Sequence, residues 1–368
     1  MKQLFMTLGL SVAVMLGVGG VAADEVDAEN SGEDSEAQWD LVDGVAAVVG
    51  GKPVLASELA LALDMEEAKV AAKQRAGLSQ EAVAKERMKT RLTVLKALVE
   101  NVLLTLAGEE WCPDDSECGE HLNAEVEKRM TAFTESVKAD PSLLDRVLKA
   151  RGYTNIQQYR QSMKDEMVRQ FFVGMEMGRG LEISEQEARS EMERRFGGKS
   201  VRDAGCDGVM VREMGMEHVQ FLVEPTATYA DLLERYEEAY KCYLGLAKGE
   251  IEPNEVADLC GVDVEVSQSG TGEGNRLNET TSFAPAYREV FDKALASDSR
   301  EFSEPFVLGK AILMIRLIDV RKRCIEEKSE QDEIVENLMG RMAEQRQIRR
   351  LETLLDQLRS QYPVEVRH

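Results

Sequence analysis

The sequence predicts an α+β protein, mainly helical, and three features predict it. Apolar residues recur four and three apart through Met88, Leu92, Leu95, Val99, Val102 and Leu106, and Ile334, Leu338, Met342, Ile348, Leu351, Leu355 and Leu358 form the apolar side of a second long helical stretch. That spacing gathers them on one side of a helix. Short apolar runs at Val45–Val49, Val219–Val223 and Ala311–Ile318 have strand length instead. Finally, 368 residues with 43% hydrophobic content allow two or three cores and exclude global disorder.

The chain opens with Lys2, a mainly apolar stretch from Leu4 to Val18, and small residues at Val21-Ala22-Ala23. This pattern predicts a secretory signal over 1–23, removed after export. A retained anchor is the alternative, because the stretch nearly reaches bilayer length. Its glycines and the acidic run that follows favour cleavage. Residues 24–38 are acidic and almost free of apolar side chains, which predicts a solvated tether.

Ordered structure is expected from Trp39. Val45–Val49, Gly50-Gly51-Lys52-Pro53 and Val54-Leu55 read as two strands about a glycine turn. Ser57 and Glu58 mark a helix start. A long core helix follows from Val83, and helical patterns recur over His121–Val137, Leu143–Ala150 and Ile156–Met177, the last capped by Thr154. Ser184 and Glu187 form a capping box for the next helix. Then come Val219–Val223, helices at Tyr229–Lys248, Glu255–Leu259 and Ala286–Leu295, a flexible loop at Gly270–Gly274, and the strand Ala311–Ile318. A helix over Gln331–Gln361 and a strand at Pro363–Val366 close the chain.

Net charge is −23, which excludes general nucleic-acid binding, since phosphate contact needs a dense basic surface. Six cysteines suit an exported chain. Cys112 and Cys118 flank a turn-prone Pro-Asp-Asp-Ser-Glu spacer, and a local disulfide is expected there. Cys206, Cys242, Cys260 and Cys324 can pair in three ways, and spacing does not choose. No Cys-x-x-Cys pair points to zinc, so no metal is expected. The glycine-rich segment lacks Gly-Lys-Ser/Thr, so no nucleotide and no cofactor is expected.

Two resemblances organise these elements. The segment EFSEPFVLGKAILMIRLIDVRKR from Glu301 resembles the end of a parvulin domain, the peptidyl-prolyl isomerase module of periplasmic folding factors. Ser303, Glu304, Pro305, Gly309, Ile312 and Leu313 keep that frame. The earlier order is similar to the SurA-like periplasmic chaperones: Val45–Val49, then Ser57-Glu58-Leu59, then Arg91, Val94, Leu95, Leu98 and Val99, then Tyr159-Arg160, then Leu181–Glu187. The resemblance implies a helical amino-terminal domain over 39–198, an inserted parvulin-like domain over 199–324, and a segment 325–368 that returns to complete the first domain.

Parvulins hold a proline amide over two histidines, with a Met/Phe wall. Twisting that amide means lowering a barrier near 20 kcal/mol. At the two histidine positions this sequence has Gln220 and Ala311, and the usual loop is replaced by Ser269–Gly274. Phe283 and Tyr287 could supply the wall. The resemblance therefore implies an isomerase fold that has lost its activity; an active isomerase is the alternative. His218 shares a strand face with Gln220. The preferred expectation for it is an edge or surface histidine bonded to water or backbone, and recruitment to the pocket is the alternative. Cys260 is expected at a helix end or in a disulfide.

The function implied is an ATP-independent periplasmic chaperone. Its partners would be unfolded or nascent exported polypeptides, outer-membrane proteins among them, with transient association to the outer-membrane assembly machinery. Client contact is assigned to Met163, Met167, Phe283 and Tyr287, because thioether and aromatic side chains adapt to varied partners.

Overall fold

The computed structural model describes residues 44–367, apart from positions within 137–152 and at 179, 181, 225–226, 228, 253–254, 261–263, 270–276, 282, 298–299 and 310. The expected signal, the tether and most of the glycine loop lie outside the described residues, as does most of the helix expected at Leu143–Ala150. The architecture is α+β. Among the described residues no helix is long and apolar enough to cross a membrane. The chain divides into two units. One comprises residues 1–67, 86–179 and 352–368, and the other residues 68–85 and 180–351.

In the first unit, strands β1 (Val45–Val49) and β2 (Lys52–Leu55) form a hairpin. Gly50 and Gly51 make its turn at φ of 53° and 86°, backbone that favours glycine. Strand β8 (Val364–Val366) pairs antiparallel with the other edge of β1, giving the order β2-β1-β8. The first and last strands among the described residues thus share one sheet. Helix α1 (Ala56–Arg75) starts one residue before Ser57, and Glu58 accepts the Leu55 N–H that the helix start leaves unpaired.

Helix α2 runs Gln80–Trp111, α3 runs Glu117–Ser136 and α4 runs Ile156–Met177. Asn155, not Thr154, caps α4: its side chain accepts the Gln158 N–H, while Gln158 Oε1 accepts the Thr154 N–H. The core of these helices gathers Cys112, Leu122, Val126, Met130, Met167 and Val168. Cys112 and Cys118 are joined by a disulfide. The apolar stripe of α2 is only partly a core. Val99 is buried, but Met88 and Leu92 are 68% and 59% exposed.

In the second unit, α5 (Glu185–Phe196) has half of the expected capping box. Ser184 accepts the Glu187 N–H, but the Glu187 carboxylate pairs with Arg346 instead of reaching back. A short helix α6 (Lys199–Asp203) leads to strand β3 (Val209–Leu222), which begins ten residues before the expected strand. Then follow α7 (Tyr229–Lys248), α8 (Val256–Leu259), β4 (Val264–Ser269), β5 (Leu277–Asn278) and α9 (Pro285–Ser297). Strands β6 (Phe306–Leu308) and β7 (Ala311–Ile325) precede helix α10 (Lys328–Gln361).

The sheet order is β4-β3-β7-β6, with β5 also on β3. Side chains alternate across it. One face sends Val219, Phe221, Ile312 and Met314 against Tyr236, Ala239 and Tyr240 of α7. The other sends Met214, Met216, Leu313, Ile315 and Leu317 against Tyr287, Phe291 and Leu295 of α9. At the far end Val209, Val211 and Ile325 meet Met192, Phe196, Ile334 and Leu338. Two disulfides fasten this unit, Cys206–Cys324 and Cys242–Cys260.

Candidate functional site

The sheet face beneath α9 carries the positions at which the parvulin resemblance calls for imidazoles. Gln220 stands opposite Leu313, and Ala311 stands opposite Leu222 on one side and Leu308 on the other. Antiparallel register sets Leu313, on the same face as Ala311, directly across from Gln220. Phe306 of β6 pairs with Leu313 in turn. An aliphatic and an aromatic side chain therefore occupy the floor. Of the replacement loop, only Ser269 lies among the described residues.

Above this floor, α9 packs Tyr287. Its ring centroid lies 4.9 Å from that of Phe283 and 6.0 Å from that of Phe306. Phe283 also meets Phe291 at 4.8 Å. Tyr287 is buried, and Phe283 is partly buried. These rings pack on each other as one aromatic wall.

His218 departs from the expectation of an edge or surface residue. Strand β3 is interior to the sheet, paired by β4 and β7, and His218 is half-buried on it. Its Nε2 shares a short hydrogen bond with the Tyr287 hydroxyl, which also lies 3.5 Å from Met216 Sδ. Burial lowers the imidazole pKa, against the upward pull of a Ser267 backbone hydrogen bond and the Glu217 carboxylate. Burial also raises the Tyr287 phenol. A neutral imidazole beside a protonated phenol can hold a proton between them. It carries no charge to offer a twisting amide.

The methionines fall differently. Met167 is buried in the core of the first unit, and Met163 packs partly buried against that core. On α4 they turn toward α3 and leave little of either side chain at the surface. What α4 presents outward is Phe171 and Met175, 41% and 42% exposed. Trp111 at the end of α2, 41% exposed, stacks at a tilt on Phe171 with centroids 5.4 Å apart. Between Phe171 and Met175, Gly174 leaves its Cβ position in open space. Large apolar side chains grouped at a surface mark contact sites more than single exposed ones do. Sequence pattern did not single out this group, because Trp111 and Phe171 lie 60 positions apart and meet only through the helix crossing.

Residues 1–173 match the family described as the SurA-like N-terminal domain. No curated protein matches the chain. Among solved structures, a SurA-like chaperone of Campylobacter jejuni is similar at 11% identity and a TM-score of 0.30, covering 89% of this chain and all of that one. The peptidylprolyl isomerase PrsA of Bacillus anthracis follows at 12% and 0.25, covering 73% of this chain and 96% of that one. The foldase PrsA of Streptococcus pneumoniae stands at 11% and 0.27, covering 86% and 92%. Likeness at these scores assigns no role to a residue here. Residues 1–173, just under half of the chain, thus form a SurA-like N-terminal domain.

Proposed function

We propose that this chain is an ATP-independent chaperone for unfolded polypeptides exported to the periplasm, outer-membrane proteins among them, with a parvulin-like domain that no longer turns prolyl bonds. The observation that carries this reading is the exposed group Trp111, Phe171 and Met175, the first two of which lie within the SurA-like N-terminal domain and the third just past its matched end. Such side chains grip apolar segments weakly and re-pack around different ones. Weak, distributed contact allows release without nucleotide. Catalytic silence is supported by the packed floor of Leu313 and Phe306, where a pocket complementary to a twisted amide would need space and donors.

The test is suppression of aggregation by the purified protein, without ATP, for several unfolded clients. Failure with all of them would reject the chaperone reading. A second reading, an isomerase that recruits His218, is favoured by one observation, the hydrogen bond between His218 and Tyr287. A prolyl-peptide isomerisation assay separates the two. Turnover by the wild type that disappears in His218→Ala would establish the second reading.

A further inference from the structure

The chain is acidic overall, with 68 Asp and Glu against 45 Lys and Arg. One stretch of α2 runs against this. Residues 87–99 hold four cations, Arg87, Lys89, Arg91 and Lys96, and no carboxylate. All four are exposed. At about 100° per residue, Met88, Leu92, Leu95 and Val99 fall within an arc of about 60°. Arg87 and Arg91 then flank the arc on one side, Lys89 and Lys96 on the other. Toward its end the stripe enters the core, where Leu95 and Leu98 pack against Leu59 and Leu63. At its start Met88 and Leu92, 68% and 59% exposed, stay in solvent. A helix that keeps a Met and a Leu in water between two rows of cations is built to be covered.

Charge complementarity identifies the cover. We propose that this face of α2 docks client segments that carry Asp or Glu around an apolar side chain. It thereby sets which unfolded polypeptides the chaperone holds longest, and it rests on the chaperone reading above. A bilayer fits the same face poorly. Two exposed apolar residues one turn apart give about 6 Å of contact length. Membrane-surface helices use a far longer apolar face. A protein of net charge −23 is also repelled by anionic headgroups. A narrow extended polypeptide needs only this short ledge, and its carboxylates meet cations on both sides.

The experiment uses the full chain and two labelled unstructured peptides. Both carry the same Phe and Leu; one sets them among Asp and Glu, the other among Lys and Arg. Fluorescence anisotropy at low salt should show the acidic peptide bound at least about tenfold tighter, with the preference fading as salt rises. The variant K89E/R91E should lose that preference, and M88S/L92S should weaken binding of the acidic peptide. These positions are exposed, so circular dichroism should match the wild type. Equal binding of the two peptides would overturn the proposal. So would a preference that survives K89E/R91E, or anionic phosphatidylglycerol vesicles captured in place of the peptide. Aggregation assays keep the two readings apart. Loss of suppression for every client rejects the chaperone function, whereas intact suppression without charge preference rejects this inference alone.

Discussion

The Nε2 of His218 on β3 and the hydroxyl of Tyr287 on α9 share a hydrogen bond that ties the central strand of the sheet to its covering helix. Burial holds the folded imidazole below the ordinary histidine value of 6.5. The unfolded chain therefore takes up this proton first as pH falls. Stability contributed by neutral His218 is present above pH 6.5 and drains as pH drops through that value toward the lower folded one. The urea midpoint should fall between pH 7 and 5, and His218→Gln should flatten that component. A slope unchanged by H218Q would contradict the assignment. Tyr287→Phe, which strips the imidazole Nε2 of its hydroxyl partner, should cost about 1–3 kcal/mol at neutral pH.

Gly108 sits where α2 crosses α4. A Cβ there would lie 2.5 Å from Val168 Cγ1 and 3.2 Å from the Val168 carbonyl. The second contact is backbone and cannot rotate away. Gly108→Ala should therefore destabilise the first unit by about 1–3 kcal/mol, despite alanine's better helix propensity. Thermal unfolding followed by far-ultraviolet dichroism checks it, and an unchanged midpoint would mean that the crossing is looser than its geometry.

Some of this was readable from the sequence, and the boundary has physical causes. The amphipathic periods gave α2, α4 and α10, because burial on one side enforces that spacing. The first half of β3 stayed hidden, since Arg212, Glu213 and Glu217 look like solvated residues. In the sheet Glu213 is buried and paired with Arg321 and Arg323, and Glu217 with Arg316. Their partners lie about a hundred positions away, beyond any local pattern. For the same reason the contact of His218 with Tyr287, 69 residues on, was not legible. The exposure of Met88, Leu92 and Ile348 escaped too, because period reports a shared side and not whether anything covers it.

The Cys206–Cys324 bridge spans 118 positions, and Cys112–Cys118 spans 6. Loop-closure entropy grows with the logarithm of that span. Chain statistics give about 5 kcal/mol for the longer loop and about 2 for the shorter. C206A/C324A should accordingly lower unfolding free energy more than C112A/C118A does, in parallel urea titrations without reductant. The reverse order would show that strain or residual structure outweighs chain entropy here.

Trp111 and Phe171 are half in water, so W111A/F171A should leave the unfolding midpoint within about 1 kcal/mol of wild type. On the chaperone reading the same variant should still lose most of its capacity to suppress aggregation. Retained capacity with unchanged stability would move client contact elsewhere on the chain.

Arg288 is 8% exposed, and its Nε and Nη1 have no hydrogen-bond partner among the described residues. Its Nη2 donates to the Thr281 carbonyl, and the guanidinium lies 5.5 Å from the Phe283 ring centroid. Burial costs the guanidinium its hydration and Arg341 repels it, and the opposing pull of Asp292 and Glu344 does not offset the two. A methionine fills similar length without a charge to desolvate. Arg288→Met should be neutral or stabilising, by up to about 2 kcal/mol. A clear loss of stability in urea titration would mean that the guanidinium is better satisfied in solution than its packed surroundings allow.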